Sequence, residues 1–247
     1  MSVWSCLVTK AIAALVALMA LASCQTYVDT THPPMLTVFA AASLKPPFDR
    51  IAPQAHVDAR FNYAGTQTLT AQLTQGAQGD VFASADRAYM KTVQDAGLLA
   101  NSPQTFARNR LEIAVAKGNP KGIHSLAALA RNGLVVVLAD PSVPAGKYTQ
   151  QALSKAGVTV HPASLELQVT GVLSKVALGE ADAGIVYVSD VMTNRHVDGV
   201  PIPDSQNVIA DYLIASLSHR PAADMFISFV LSSQGQAILA SAGFEKV

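Results

Sequence analysis

From Leu36 onward, short apolar runs alternate with amphipathic stretches, the habit of α/β domains built on mostly parallel sheets. Leu36 to Ala41 is predicted as the first strand. Lys45 to Ile51 follows as a helix, with Pro46 and Pro47 in a first turn that tolerates proline and with Phe48 and Ile51 on one face. Val57, Ala59, Phe61 and Tyr63 alternate as a second strand, and Gln67 to Gln75 carries Leu69 and Leu73 four apart on a helix ended by Gly76. Val81 to Ser84 is a third strand, Arg87 to Ala96 a helix with Gly97 as its C-terminal cap. Leu111, Ile113 and Val115 alternate as a strand leading to the turn-rich break Lys117-Gly118-Asn119-Pro120.

Beyond that break, Ser125 caps a short helix, and Leu134 to Ala139 is an all-apolar run suited to a strand covered on both faces. Pro144-Ala145-Gly146 reads as a stiff turn feeding a helix from Lys147 to Ala156, closed by Gly157. Gln168 to Leu178 has helical spacing, Gly184 to Val188 is a strand, and the apolar stretch Val208 to Leu217 reads as a return crossing. Helices starting at Pro221 and spanning Ser233 to Ala242 complete the chain. The pattern implies two α/β lobes, the first formed by residues 35–116 plus 213–247 and the second by 117–212, with two crossovers forming a hinge.

Residues 1–34 read differently. Ala11 to Ala22 is an unbroken apolar run, too short to span a bilayer but suited to a secretory signal over residues 1–23. Leu21-Ala22-Ser23-Cys24 resembles a bacterial lipobox, which implies lipidation at Cys24 and a cell-membrane location on the extracytoplasmic face. Residues 24–34, with Thr, Asp, His and paired prolines and no apolar period, suit a tether. The two cysteines are Cys6 and Cys24, so none is left in the folded body for a disulfide.

Charged residues make up 14% of the chain, 17 basic against 17 acidic, which leaves no electrostatic footprint for nucleic acid. The six histidines are scattered without ligand spacing, so no metal cage is expected. There is no Gly-x-Ser-x-Gly elbow and no phosphate-cradling glycine loop. What the chain does supply is small or hydroxyl residues at strand-to-helix junctions: Ser43, Thr66, Ala145-Gly146 and Gln168-Val169. A helix N-terminus offers backbone N–H groups without intrahelical partners and a partial positive charge, so an oxyanion is held there without lysine or arginine. Serine and threonine also cap helices with no ligand present; the number of such junctions favours a binding cleft.

Phe39-Ala40-Ala41-Ala42-Ser43-Leu44, Gly79-Asp80-Val81-Phe82-Ala83-Ser84-Ala85-Asp86, Val143-Pro144-Ala145-Gly146-Lys147-Tyr148, Gly184-Ile185-Val186-Tyr187 and Gly235-Gln236-Ala237-Ile238 together resemble the periplasmic molybdate-binding proteins of ABC importers. The resemblance implies the two-lobed type II periplasmic-binding-protein fold, and a molybdate or tungstate ligand held by Ser43, Thr66, Ala145, Val169 and Tyr187. Ser43 would give hydroxyl and N–H, Thr66 a hydroxyl where the family has serine, Ala145 and Val169 backbone N–H, and Tyr187 its hydroxyl. The protein would touch the oxyanion through its oxygens, with no direct metal ligand and no cofactor. Expected partners are the membrane permease subunits of an importer with their ATPase, and the membrane itself through the N-terminal lipid. Gly65-Thr66-Gln67 replaces the family's serine-rich run, and Leu167-Gln168-Val169-Thr170 lacks its charged neighbours. The alternatives are a carrier of sulfate or another small anion, an exported serine hydrolase using Ser43 or Ser84, and a purely structural surface lipoprotein.

Overall fold

The computed structural model describes residues 35–247; the expected signal, Cys24 and the tether lie outside the described residues. The strands are β1 (Leu36–Ala41), β2 (Ala59–Ala64), β3 (Val81–Ser84), β4 (Gln104–Ala116), β5 (Val136–Ala139), β6 (Ser164–Glu166), β7 (Ala183–Tyr187), β8 (Val197–Pro201) and β9 (Ile209–Ser216). Interleaved with them are α1 (Lys45–Gln54), α2 (Thr66–Thr74), α3 (Arg87–Asp95), α4 (Pro144–Ala156), α5 (Val169–Ala177), α6 (Val188–Met192), α7 (Pro221–Leu231) and α8 (Ser233–Ser241).

The strands form one nine-stranded sheet in the order β2-β1-β3-β9-β4-β7-β5-β6, with β8 also on β4. At one end β1 lies parallel to β2 and β3; at the other β5 lies parallel to β6 and β7. Every residue of β3 and of β5 is buried, which is why both appear in the sequence as unbroken apolar or small runs rather than alternating ones. The two parallel halves meet through β4. Its residues 104–110 pair antiparallel with β9, whereas 111–116 pair with β7 and β8.

The structure corrects several sequence expectations. β4 begins at Gln104, not near Leu111. Its first half carries Arg108, Asn109 and Arg110, whose polarity hides a strand held by neighbours on both edges. The stretch read as a return crossing forms β9, paired with β3 and β4 along its length, which leaves that reading unchanged. Pro144-Ala145-Gly146 is not a turn before a helix but the first turn of α4 itself, with Pro144 at its first position and extended Val143 as the N-cap. β6, α6 and β8 have no counterpart in the expected pattern; each has five residues or fewer, too short for periodicity to register.

The core between the β2 end and the central strand β4 is aromatic. Phe48 of α1 packs edge-on to Phe226 of α7 at 5.3 Å and lies 6.0 Å from Phe106, so α1 and α7 are pinned to the same face. At the other end the close approach of α4 to β5 rests on Gly146. A Cβ there would lie 2.0 Å from the Asp140 carbonyl oxygen and 2.5 Å from that of Ala139, both fixed backbone. Gly146→Ala should therefore cost about 2–3 kcal/mol and lower Tm by on the order of 5–10 °C in a thermal melt.

Candidate functional site

Four helix starts converge on one cavity. It is lined by Ala42 and Ser43 in the 3-10 turn before α1, Gly65 and Thr66 at the start of α2, Pro144 and Ala145 at the start of α4, and Val169 at the start of α5. Tyr187, at the end of β7, and Ala85, after β3, complete the wall. All five residues singled out from the sequence, Ser43, Thr66, Ala145, Val169 and Tyr187, thus line the same space. The atom-free volume of the cavity, including its mouth, is about 240 Å³. That exceeds the room needed by one water and suits a single small solute.

The local reason for each junction is the same. A parallel strand ends at the sheet's edge and the chain turns directly into a helix whose first N–H groups face back across that edge. In α4 the first intrahelical bond runs from Lys147 N–H to Val143, which leaves Ala145 and Gly146 N–H without intrahelical partners. In α2 it runs from Leu69 N–H to Gly65, which leaves those of Thr66 to Thr68 free of such bonds. The remaining wall is alanine, valine and proline, so a ligand reaches the backbone unobstructed. Among the described residues no lysine, arginine or carboxylate lines the cavity. Any attraction for an anion comes from N–H and O–H dipoles.

The hydroxyls are held from behind. Thr66 Oγ1 accepts from Ala85 N–H at 3.2 Å, and Ser43 Oγ lies 2.8 Å from the Tyr212 hydroxyl; all these groups are buried. Tyr187 is 1% exposed, its ring meets that of Tyr212 edge-on at 5.9 Å, and its hydroxyl makes no hydrogen bond of ordinary geometry. Burial, with the Tyr212 phenol beside it, holds the Tyr187 hydroxyl well above its usual range and therefore protonated. A buried phenol without a partner is costly in an empty site and becomes useful when an acceptor arrives.

Two clasps flank the mouth. On one side Asp86, 1% exposed, takes Lys147 Nζ at 2.7 Å and the Tyr148 hydroxyl at 2.8 Å on one carboxylate oxygen. Its other oxygen caps α3 by accepting from Ala88 and Tyr89 N–H, and Tyr89 reaches over to donate to the Ser142 carbonyl at 2.5 Å. On the other side Gln67 Nε2 donates to the Leu167 carbonyl at 2.8 Å. That carbonyl comes so close that a Cβ on residue 65 would stand 2.5 Å from it, which requires Gly65. The clasps tie residues beside β2 and β3 to residues beside β5 and β6, so the cavity is bridged over its opening. The sequence reading assigned no role to Gln67, Asp86 or Tyr212. Asp86 carried a signal, an aspartate directly before a helical stretch; Tyr212, inside an apolar strand, carried none.

Ser84 is fully buried and donates to the Asp86 carbonyl at 2.6 Å, so it is committed to the turn between β3 and α3. Ser43 has a phenol, not a histidine or carboxylate, as its side-chain neighbour. Neither has a base poised to activate it.

Behind Tyr187, Asp190 accepts from the Tyr187 N–H at 3.0 Å and is 3% exposed. Burial raises its carboxyl to about 7, from the ordinary 3.8. The folded chain therefore keeps a proton that the unfolded chain gives up near pH 4. Stability from this group falls as pH rises between about 4 and 7, by at most about 1.4 kcal/mol per pH unit, and is level above that. Asp190→Asn should remove this slope. In urea unfolding from pH 4.5 to 8, its stability relative to wild type should rise with pH through that window.

Residues 36–245 match the family model described as bacterial extracellular solute-binding protein. The molybdate-binding protein ModA of Mycobacterium tuberculosis is 46% identical over 220 residues, covering 85% of this chain and 84% of that protein. Among solved structures, the periplasmic molybdate-binding protein of Azotobacter vinelandii superposes with a TM-score of 0.74 at 20% identity, covering 85% of this chain and 98% of that one. The sulfate-binding protein SubI of Mycobacterium tuberculosis gives a TM-score of 0.74 at 18% identity, covering 86% and 87%. The two superpositions establish the expected fold, the α/β architecture of the periplasmic binding proteins. On the match over nearly all of its folded part, the chain belongs to the bacterial extracellular solute-binding protein family.

Proposed function

We propose that this protein captures molybdate or tungstate outside the cytoplasm and delivers it to the permease and ATPase subunits of an ABC importer. The observation that carries the reading is a small cavity whose polar lining is N–H and O–H groups at converging helix starts, with no charged side chain among the described residues. Ser43, Thr66 and Tyr187 contribute hydroxyls, Ala145 and Val169 backbone N–H. The likeness to ModA proteins at 46% identity supports the choice of ligand. A fully ionised tetrahedral dianion accepts from every one of these donors. Hydrogenphosphate brings a proton that needs an acceptor, and a wall of donors rejects it. Sulfate, the smaller ion, is the main alternative ligand, favoured by the shared fold with SubI.

The protein works as a carrier, not an enzyme: the two candidate serines lack a base, and the relatives are binding proteins. The chain is read as two lobes, residues 35–116 plus 213–247 and residues 117–212; the switch of β4 from β9 to β7 and β8 after residue 110 supports a crossing within that strand. The clasps at Asp86 and Gln67 hold the lobes shut over the ligand. Cleavage before Cys24 and lipidation of that residue anchor the body to the outer face of the cell membrane. Cys24→Ala should release the protein from the membrane fraction in a cell fractionation; continued membrane association would reject the anchor.

The ligand is tested by thermal melts of the full chain with sodium molybdate, tungstate, sulfate and phosphate added separately. A ligand at about a hundredfold its Kd adds roughly 2.7 kcal/mol, on the order of 5–10 °C. Molybdate and tungstate should give that shift and phosphate none. Ser43→Ala, losing one hydrogen bond to a charged ligand, should weaken Kd about tenfold and cut the shift roughly in half. A shift with sulfate alone would transfer the assignment to that anion.

A further inference from the structure

We propose that Tyr212 is a positioning residue for the binding site: its hydroxyl donates to Ser43 Oγ and so commits the single proton of Ser43 to the ligand. The inference rests on the oxyanion reading above. Tyr212 does not line the cavity. It is fully buried on β9, far in sequence from Ser43, and its hydroxyl stands 2.8 Å from Ser43 Oγ.

At this distance either hydroxyl could donate, and the surroundings decide between them. Thr66 shows the arrangement in unambiguous form. Its oxygen accepts from the Ala85 backbone N–H, a group that can only donate, so its own proton is left for the cavity. For Ser43 no backbone N–H among the described residues donates to the side chain oxygen, and the Tyr212 phenol is its partner instead. An oxyanion accepts only, so a Ser43 hydroxyl that binds it has spent its one proton there. The bond between Ser43 and Tyr212 then forms only with the phenol as donor. The phenol remains able to do so because burial, with Asp190 nearby, keeps it protonated.

The run of donation is Tyr212 to Ser43 to the anion, with both residues buried. Without the phenol proton, Ser43 Oγ is free to turn and accept. The cavity then holds one group able to take the proton of hydrogenphosphate. Tyr212 therefore bears on selectivity as well as affinity.

The test is calorimetric titration of sodium molybdate and sodium phosphate at pH 7 into four full-length proteins: wild type, Tyr212→Phe, Ser43→Ala and the double variant. Tyr212→Phe keeps the edge-on ring contacts to Phe106 and Phe244. It should weaken molybdate about tenfold and narrow the molybdate-to-phosphate ratio, and in the Ser43→Ala background it should change neither. That non-additivity is a signature that a merely structural tyrosine does not produce. Wild-type affinity in Tyr212→Phe, or an equal loss with Ser43 absent, overturns the proposal while leaving the ligand assignment standing. A wild type that binds no molybdate overturns both. Should the phenylalanine variant fail to fold, NMR of the wild-type complex decides. The Tyr212 hydroxyl proton is expected in slow exchange with contacts to the Ser43 β-protons, and the lack of those contacts rejects the proposal.

Discussion

The convergence of helix starts on one point depends on a single constraint: a parallel strand must hand its chain to a helix at the carboxyl edge of the sheet. β1, β2, β5 and β6 do so in the two halves, and the helices that follow present their unsatisfied N–H groups to the same space. The cavity is a consequence of that handover. Its lining needs no charge, because the backbone supplies oriented dipoles in a setting from which water is largely excluded. Small residues at these positions, Ala42, Gly65, Ala85 and Ala145, keep the backbone within reach.

Charge has been moved to the mouth. Asp86 is buried beside the cavity yet does not face it, since both its oxygens are used: one caps α3, the other receives Lys147 and Tyr148. A buried carboxylate so satisfied is tolerable, whereas the same carboxylate turned inward would repel an anion. Lys147 is correspondingly neutralised and adds little bare positive charge to the site. The arrangement separates two tasks: dipoles read the ligand, and ionic and amide contacts at Asp86 and Gln67 bridge the opening above it.

The polar layer behind the cavity follows the same logic at one remove. Thr66, Ser43 and Tyr187 each have a hydroxyl at the wall, and their surroundings differ in what they leave free. Thr66 is backed by a backbone donor, Ser43 by a phenol, and Tyr187 by neither. Tyr187 thus holds an unused donor in a place where water has little room. Asp190, lodged behind it with a raised carboxyl, marks how dry this region is.

The sequence by itself determined the alternation of strands and helices, most of their bounds, and the positions where strands run into helices. These are local properties: apolar runs, turn residues and capping choices act over a few neighbours. It therefore pointed to Ser43, Thr66, Ala145 and Val169 by their junctions and to Tyr187 by resemblance. It misread the first half of β4, where Arg108, Asn109 and Arg110 break the apolar pattern of a strand that pairs with β9, and it marked β9 only as an apolar return crossing. Tertiary structure alone decided that β9 lies between β3 and β4, and with that placement came Tyr212 behind Ser43, a pairing 169 residues apart along the chain. Likewise only the fold sets Asp86 against Lys147 and Gln67 against Leu167. Local propensity carries no information about which distant surfaces meet, because that is settled by sheet order and by the burial of both faces at once.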